Sequence, residues 1–270
     1  MFTTGVAFFG ASSTLWKPSN LPNLYAWYKA DSPLNTLSGS NYTTWKDLSG
    51  NSHDASISGT VSMVSGTIGG RSAASFTQNT DNVAVIASSV DILRNKNGFH
   101  FGSMLQQTYT GSSQGTLFQS DTNSSGFARV YIRYPNTSAR TPAILGRRLD
   151  ADSLSTVQSP TTVTTVSSLL VNINYSTATA DLRANGTQLI SDVFTSSGST
   201  SNTSSAFNAA VGNQAGTSNS FGGYIGEVVI CDAGLSLADE QRLEGYLNWQ
   251  WGQQSSLPSG HPYKSAPPMI

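Results

Sequence analysis

The chain has 270 residues, of which 37% are hydrophobic and 10% aromatic but only 11% charged, against about 25% charged in an ordinary soluble domain. Its 14 Lys and Arg nearly balance 15 Asp and Glu, and basic residues adjoin only at Arg147-Arg148, which excludes the cationic run that a nucleic-acid partner requires. No apolar run reaches the ~18 residues of a membrane span, no Lys or Arg precedes Lys17 to open a secretory signal, and the lone Cys231 leaves no intrachain disulfide.

About a quarter of the chain is Ser or Thr, so its polar surface is mostly uncharged. Short β-rich runs follow one another: Leu24–Lys29, Val83–Ala87, His100–Leu105, Ala128–Tyr134, Leu169–Tyr175, Ala180–Ala184 and Tyr224–Cys231. In the fourth, Ala128, Val130, Ile132 and Tyr134 alternate with Arg129, Tyr131 and Arg133, the period of a half-buried strand. Turn signals such as Gly69-Gly70, Asn97-Gly98 and Asn185-Gly186 fall between the runs; Asn185-Gly186 suits a type I′ hairpin because both residues tolerate positive φ. The Ser/Thr-rich stretches Ser153–Ser168 and Thr195–Ser205 read as loops or an edge strand. Strands at this spacing predict an antiparallel sandwich or barrel.

One helix is expected near the end. Ser236 stands as N-cap with Asp239 three residues on, Leu243, Tyr246, Leu247 and Gln250 or Trp251 share a face, and Gly252 closes it. A Pro-rich stretch follows. The expected organisation is an arm over 1–20 that docks elsewhere, one domain over 21–254 and an extended tail over 255–270.

Catalytic patterns are missing. Glycoside hydrolysis needs two carboxyl groups flanking the bond. The nearest pair, Glu227 and Asp232, is five residues apart, which puts the two on opposite faces of a strand. There is no Gly-x-Ser-x-Gly elbow and no His or Cys spacing for zinc. Calcium has one candidate loop, Asp121 with Asn123, an oxygen-rich start. Position twelve is Ile132 rather than Glu, and a plain hairpin turn competes with it. Asp47–Asp54 is a second oxygen-rich loop, readable as an Asx-type turn.

Glycan binding asks for an exposed aromatic face with planar polar groups beside it. Arg129, Tyr131 and Arg133 on one strand face, with Tyr109, make the most suggestive set; Tyr134, Phe221, Asn213 and Gln214 are further candidates. The same residue types are enriched at subunit interfaces, so both readings stand. Trp27, Trp45, Trp249 and Trp251 are assigned to core or tail packing.

Two segments carry a likeness. The first is Leu24-Tyr-Ala-Trp27-Tyr-Lys-Ala-Asp31 with Trp45-Lys-Asp47-Leu-Ser49-Gly50-Asn51. The second is Gly223-Tyr-Ile-Gly226-Glu227-Val, then Glu244-Gly-Tyr246-Leu247-Asn-Trp249-Gln-Trp251-Gly252 and Leu257-Pro258…His261-Pro262-Tyr263. Together they resemble concanavalin A-like, laminin-G-type jelly-roll domains, most of all those of tailed-bacteriophage virion proteins. The resemblance implies an all-β, two-sheet antiparallel jelly-roll sandwich with one short C-terminal helix. It also implies a non-enzymatic structural role on the virion surface, after synthesis in the host cytoplasm, as a capsid decoration or tail-associated homo-oligomer. Partners would be other virion proteins and glycans, with no nucleic acid or membrane. No cofactor is expected beyond the calcium option. A bacterial carbohydrate-binding module is the alternative, and a polysaccharide-cleaving enzyme the third class.

Overall fold

The structure, a computed structural model, describes residues 14–108, 114–122, 128–135, 140–213 and 219–270, with the backbone alone for 121, 122 and 128. The strands in chain order are β1 (Leu24–Lys29), β2 (Thr36–Ser38), β3 (Asn41–Trp45), β4 (Ala55–Ser58), β5 (Ser62–Ile68), β6 (Arg71–Phe76), β7 (Val83–Ile86), β8 (Gly98–Gln107) and β9 (Gly115–Thr122). They continue as β10 (Ala128–Tyr134), β11 (Ala143–Gly146), β12 (Ser155–Gln158), β13 (Ser167–Asn174), β14 (Thr179–Ala184), β15 (Thr187–Val193), β16 (Ala210–Val211) and β17 (Gly223–Cys231), and the helix α1 (Leu237–Gln250) follows.

All of these strands pair antiparallel. One ladder runs β15–β14–β13–β8–β17, and the far edge of β17 is shared by β1 and β6. The other runs β2–β3–β4–β7–β16–β9–β10–β11–β12. The expected division into two separate sheets does not hold. β5 pairs with β6 in the first ladder and, through Ser62 opposite Asn41, with β3 in the second. The strands therefore form one connected sheet that curls back until β12 lies beside β15, where the Thr195 amide donates to Ser155 Oγ at 3.2 Å. Closure of this kind leaves few open edges.

The alternating runs point where their periodicity places them. Phe99 and Phe101 of β8, Val171 and Ile173 of β13, and Val228 and Ile230 of β17 meet Phe118, Val130, Ile132 and Ile144 in a common core. Phe118 stacks on Phe99 at 5.2 Å. Each such side chain contributes about 1.5–3 kcal/mol by leaving water. The apolar run in β17 is unbroken because its other face is covered too. Val229, Cys231, Met104 and Leu170 pack against Leu243 and Leu247 of α1 and Trp251 just beyond it in a second cluster.

α1 starts and stops as the sequence requires. Ser236 Oγ accepts from the Asp239 amide at 3.2 Å, and Gly252 takes φ +65° beyond the last turn. The Asn185-Gly186 turn between β14 and β15 has both residues at positive φ. β12 grows out of the first Ser/Thr-rich stretch, while the second forms no strand. The C-terminal residues are not simply extended. They turn back at His261 and pair with the opposite end of the described chain, Trp16 N donating to Pro268 O at 3.0 Å and Ile270 N to Thr14 O at 2.9 Å. Among the described residues no helix is long and apolar enough to cross a membrane.

Candidate functional site

The strand β10 brings Arg129, Tyr131 and Arg133 to one face, away from the main core, with Gln119 of β9 directly opposite Tyr131. That face is largely filled. Tyr131 is 5% exposed and packs with Ala143 and Leu145. Arg129 is 3% exposed, and its guanidinium donates to Asp150 Oδ1 and Thr203 O, each at 2.9 Å. Arg133 is half-buried; it donates to Gln114 Oε1 at 2.8 Å and lies 5.9 Å from the Tyr131 ring centroid. Tyr134 and Phe221 belong to the core, and Asn213 is held by Thr80 O at 3.1 Å. Alternation thus places this face, but it cannot say that other segments would bury it.

Tyr109, Asn123 and Gln214 lie outside the described residues, and only the backbone of Asp121, in β9, is described. Among the described residues no three His, Cys, Asp or Glu side chains are grouped to hold a metal ion. Both Asp47 oxygens accept backbone amides, Oδ1 from Trp27 and Ser49 at 2.9 Å and Oδ2 from His53 at 3.0 Å. That loop is a turn held by its own carboxylate. Glu227 is wholly buried, and Asp232 is ion-paired with Lys96 at 2.5 Å.

A cleft of about 590 Å³ opens instead beside α1. β1 supplies Trp27 and Lys29, the turn after it Asp31 and Pro33, and the first residue of β6 Arg71. α1 supplies Tyr246, Trp249 and Gln250 at the three- and four-residue steps of one helix face, and the paired chain ends add Trp16 and Pro268. Tyr246 stands edge-on between Trp16 (centroids 6.0 Å) and Trp27 (6.4 Å). Apolar wall and polar corner are distinct. In the corner, Arg71 pairs with Asp31 Oδ2 and Lys29 Nζ lies 3.8 Å from Asp31 Oδ1. Among the described residues the buried Asp31 Oδ1 and Arg71 Nε have no hydrogen-bond partner.

The aromatic wall is fixed from behind by Glu227. Its carboxylate accepts from Trp27 Nε1 at 2.6 Å, Trp251 Nε1 at 2.7 Å and Tyr246 OH at 2.9 Å. Burial pushes the Glu227 carboxyl above the usual range; the Trp251 bond, the Lys29 charge and the Trp27 and Tyr246 bonds oppose that. Gly226 forms the β-bulge that lets Trp251 approach, since a Cβ there would sit 2.8 Å from the indole. A second buried knot ties the tail down. Glu244 accepts from Arg183 Nε at 2.9 Å and lies 3.2 Å from His261 Nε2. The segments Leu24–Asp31, Gly226-Glu227 and Glu244–Tyr263, noted for their family likeness, therefore supply the cleft with its Glu227 backing and, on the other side, the Glu244 knot. Trp45 and Trp251 are packing residues as expected, whereas Trp27 and Trp249 also line the cleft. The signal available in sequence was the density of Trp and Tyr in those segments.

No protein-family model matches the chain, and no curated protein matches its sequence. Solved structures do match. A sialidase of Trypanosoma rangeli in complex with sialic acid has a TM-score of 0.59 at 12% identity, over 84% of this chain and 33% of that one. Domain 4 of AbnA, a GH43 extracellular arabinanase from Geobacillus stearothermophilus, in complex with arabinotriose, has a TM-score of 0.55 at 17% identity, over 82% and 98%. A structure of botulinum neurotoxin type C, described as entering cells by interaction with two ganglioside molecules, has a TM-score of 0.55 at 12% identity, over 83% and 51%. The chain spans about a third of the sialidase's length and nearly all of the arabinanase domain. What is shared at these identities is the fold.

Proposed function

We propose that this chain is a non-enzymatic, lectin-like glycan-binding domain and that the Trp27–Trp249 cleft holds the sugar. One observation carries the reading. An open cleft joins an aromatic wall to a charged corner of Lys29, Asp31 and Arg71, in which Asp31 Oδ1 and Arg71 Nε have no hydrogen-bond partner among the described residues. A sugar ring presents an apolar C–H face to such a wall, and its hydroxyls both donate and accept. The arabinanase domain, covered almost whole by this fold, was crystallised with arabinotriose, which supports the same reading. Among the described residues Asp31 is the one carboxylate in the lining, whereas most glycoside hydrolases use two.

Two finer readings belong to this proposal. The first reads the connected sheet as a jelly roll whose two layers are the two ladders joined through β5. The closing string Glu244–Tyr263 adds that the domain is carried on a bacteriophage particle beside head or tail proteins. Titration calorimetry with arabinotriose and a panel of neutral and acidic oligosaccharides tests the binding reading. Trp249→Ala removes one stacking face and should weaken the best ligand roughly tenfold, about 1.4 kcal/mol. Unchanged affinity in that variant, or shortening of any oligosaccharide by the purified protein, overturns the proposal.

A further inference from the structure

The charges in the cleft select a class of sugar, an inference that rests on reading the cleft as a glycan site. Across the chain, cations and anions balance, 14 against 15. The cleft is lined by Lys17, Lys29 and Arg71 against Asp31 alone. Arg71 and Lys29 share that one carboxylate. Their next acceptor is neutral: with its amide oxygen turned toward them, Gln250 accepts from Lys29 Nζ at 2.8 Å and from the two Arg71 Nη atoms at 3.1 and 3.3 Å. Among the described residues Arg71 Nε remains without a hydrogen-bond partner. Glu227, behind the aromatic wall, spends both oxygens on Trp27, Trp251 and Tyr246.

Among the described residues the cleft lining thus carries more cations than carboxylates, the further carboxyl that feels the Lys29 charge being Glu227 behind the wall. A neutral carbonyl stands where a carboxylate would bond better, because charge-assisted hydrogen bonds are stronger than neutral ones. Lys29 and Asp31 are each less than a fifth exposed, so screening by water is reduced there. We propose that the cleft takes a glycan bearing a sugar-acid carboxylate, seated between Lys29 and Arg71 in place of the Gln250 carbonyl, with its ring against Tyr246 and Trp249, the half-buried rings of the wall.

The test uses the whole chain and matched probes. Trigalacturonate is compared with its methyl ester, and 3′-sialyllactose with lactose, so that uronic and nonulosonic acids are separated. At least one acid should bind roughly tenfold tighter than its neutral match. That advantage should shrink between about 0.05 and about 0.5 M salt and should fall in Lys29→Gln, with Lys17→Gln as a second variant should the first misfold. Equal binding of acid and neutral forms overturns this inference and leaves the glycan reading standing. Binding of none of the four, nor of arabinotriose, overturns both.

Discussion

Glu227 shows how one residue sets a surface it does not reach. It has no exposure, yet the orientation of Trp27 and Tyr246 in the cleft depends on the bonds its carboxylate accepts. Glu227→Gln keeps the volume but offers one acceptor oxygen where two were used, and turns an NH₂ toward the Trp and Tyr donors. Leaving one or two buried donors unmet costs about 2–3 kcal/mol. A lower denaturant midpoint at unchanged slope, with weaker glycan binding, is the expected outcome; wild-type stability would show that the carboxylate is dispensable. Period-2 reading of β17 separates Glu227 from the core-facing Val228 and Ile230. It cannot supply the donors, because Trp27 comes from 200 residues away. For the same reason Tyr131 read as a surface aromatic. Its strand face is legible in alternation, while the segments that cover it come from elsewhere in the chain.

Elements were legible in proportion to their local pattern. β1 and β10 begin and end where their apolar runs do, and α1 is announced by its cap, its spacing and Gly252. β4, β5 and β16 are not. β5 reads Ser-Met-Val-Ser-Gly-Thr-Ile with exposed residues at its middle, and β16 is two residues held between β7 and β9. Such strands exist because neighbours offer ladder partners, not because their sequence prefers extension. β5 is also the strand that joins the two ladders, so its weak signal hid the closure of the sheet. α1 does depend on its own ends. Ser236→Ala removes the side-chain acceptor for the Asp239 amide and should cost about 1 kcal/mol, measured as a shift in chemical-denaturation midpoint. A change within error would mean that packing of Leu243, Leu247 and Trp251 alone fixes the helix start.

For the whole molecule, buried titratable groups on the helix-covered side of the sheet, His100 and Glu240 among them, shape how stability varies with pH. His100 of β8 is fully buried, and desolvation lowers its pKa from 6.5 to about 3. As pH falls from 6.5 towards 3, the unfolded chain gains a proton that the native state refuses, so stability falls. Glu240 of α1 is buried, with Oε1 lacking a hydrogen-bond partner among the described residues, and desolvation raises its pKa from 4.5 to about 8, opposed by the Arg183 charge and helped by those of Glu244 and Asp181. Its contribution is complete below 4.5 and is lost as pH rises through 8, because the unfolded chain ionises first. Between 4.5 and 6.5 the two trends oppose each other; outside that interval they do not. Asp54 and Asp150, both held below the usual carboxylate range by hydrogen bonds and neighbouring cations, add to the loss on the acid side. Melting temperature measured from pH 3 to pH 9 should therefore peak in the mildly acidic interval. Glu240→Gln should raise it above neutrality and leave it nearly unchanged near pH 4, where the wild-type carboxyl is already protonated. A maximum at pH 8 or above, or equal effects of Glu240→Gln at both ends, would mean that the helix lifts enough to hydrate Glu240 and that the sheet's outer face is less tightly sealed than its packing implies.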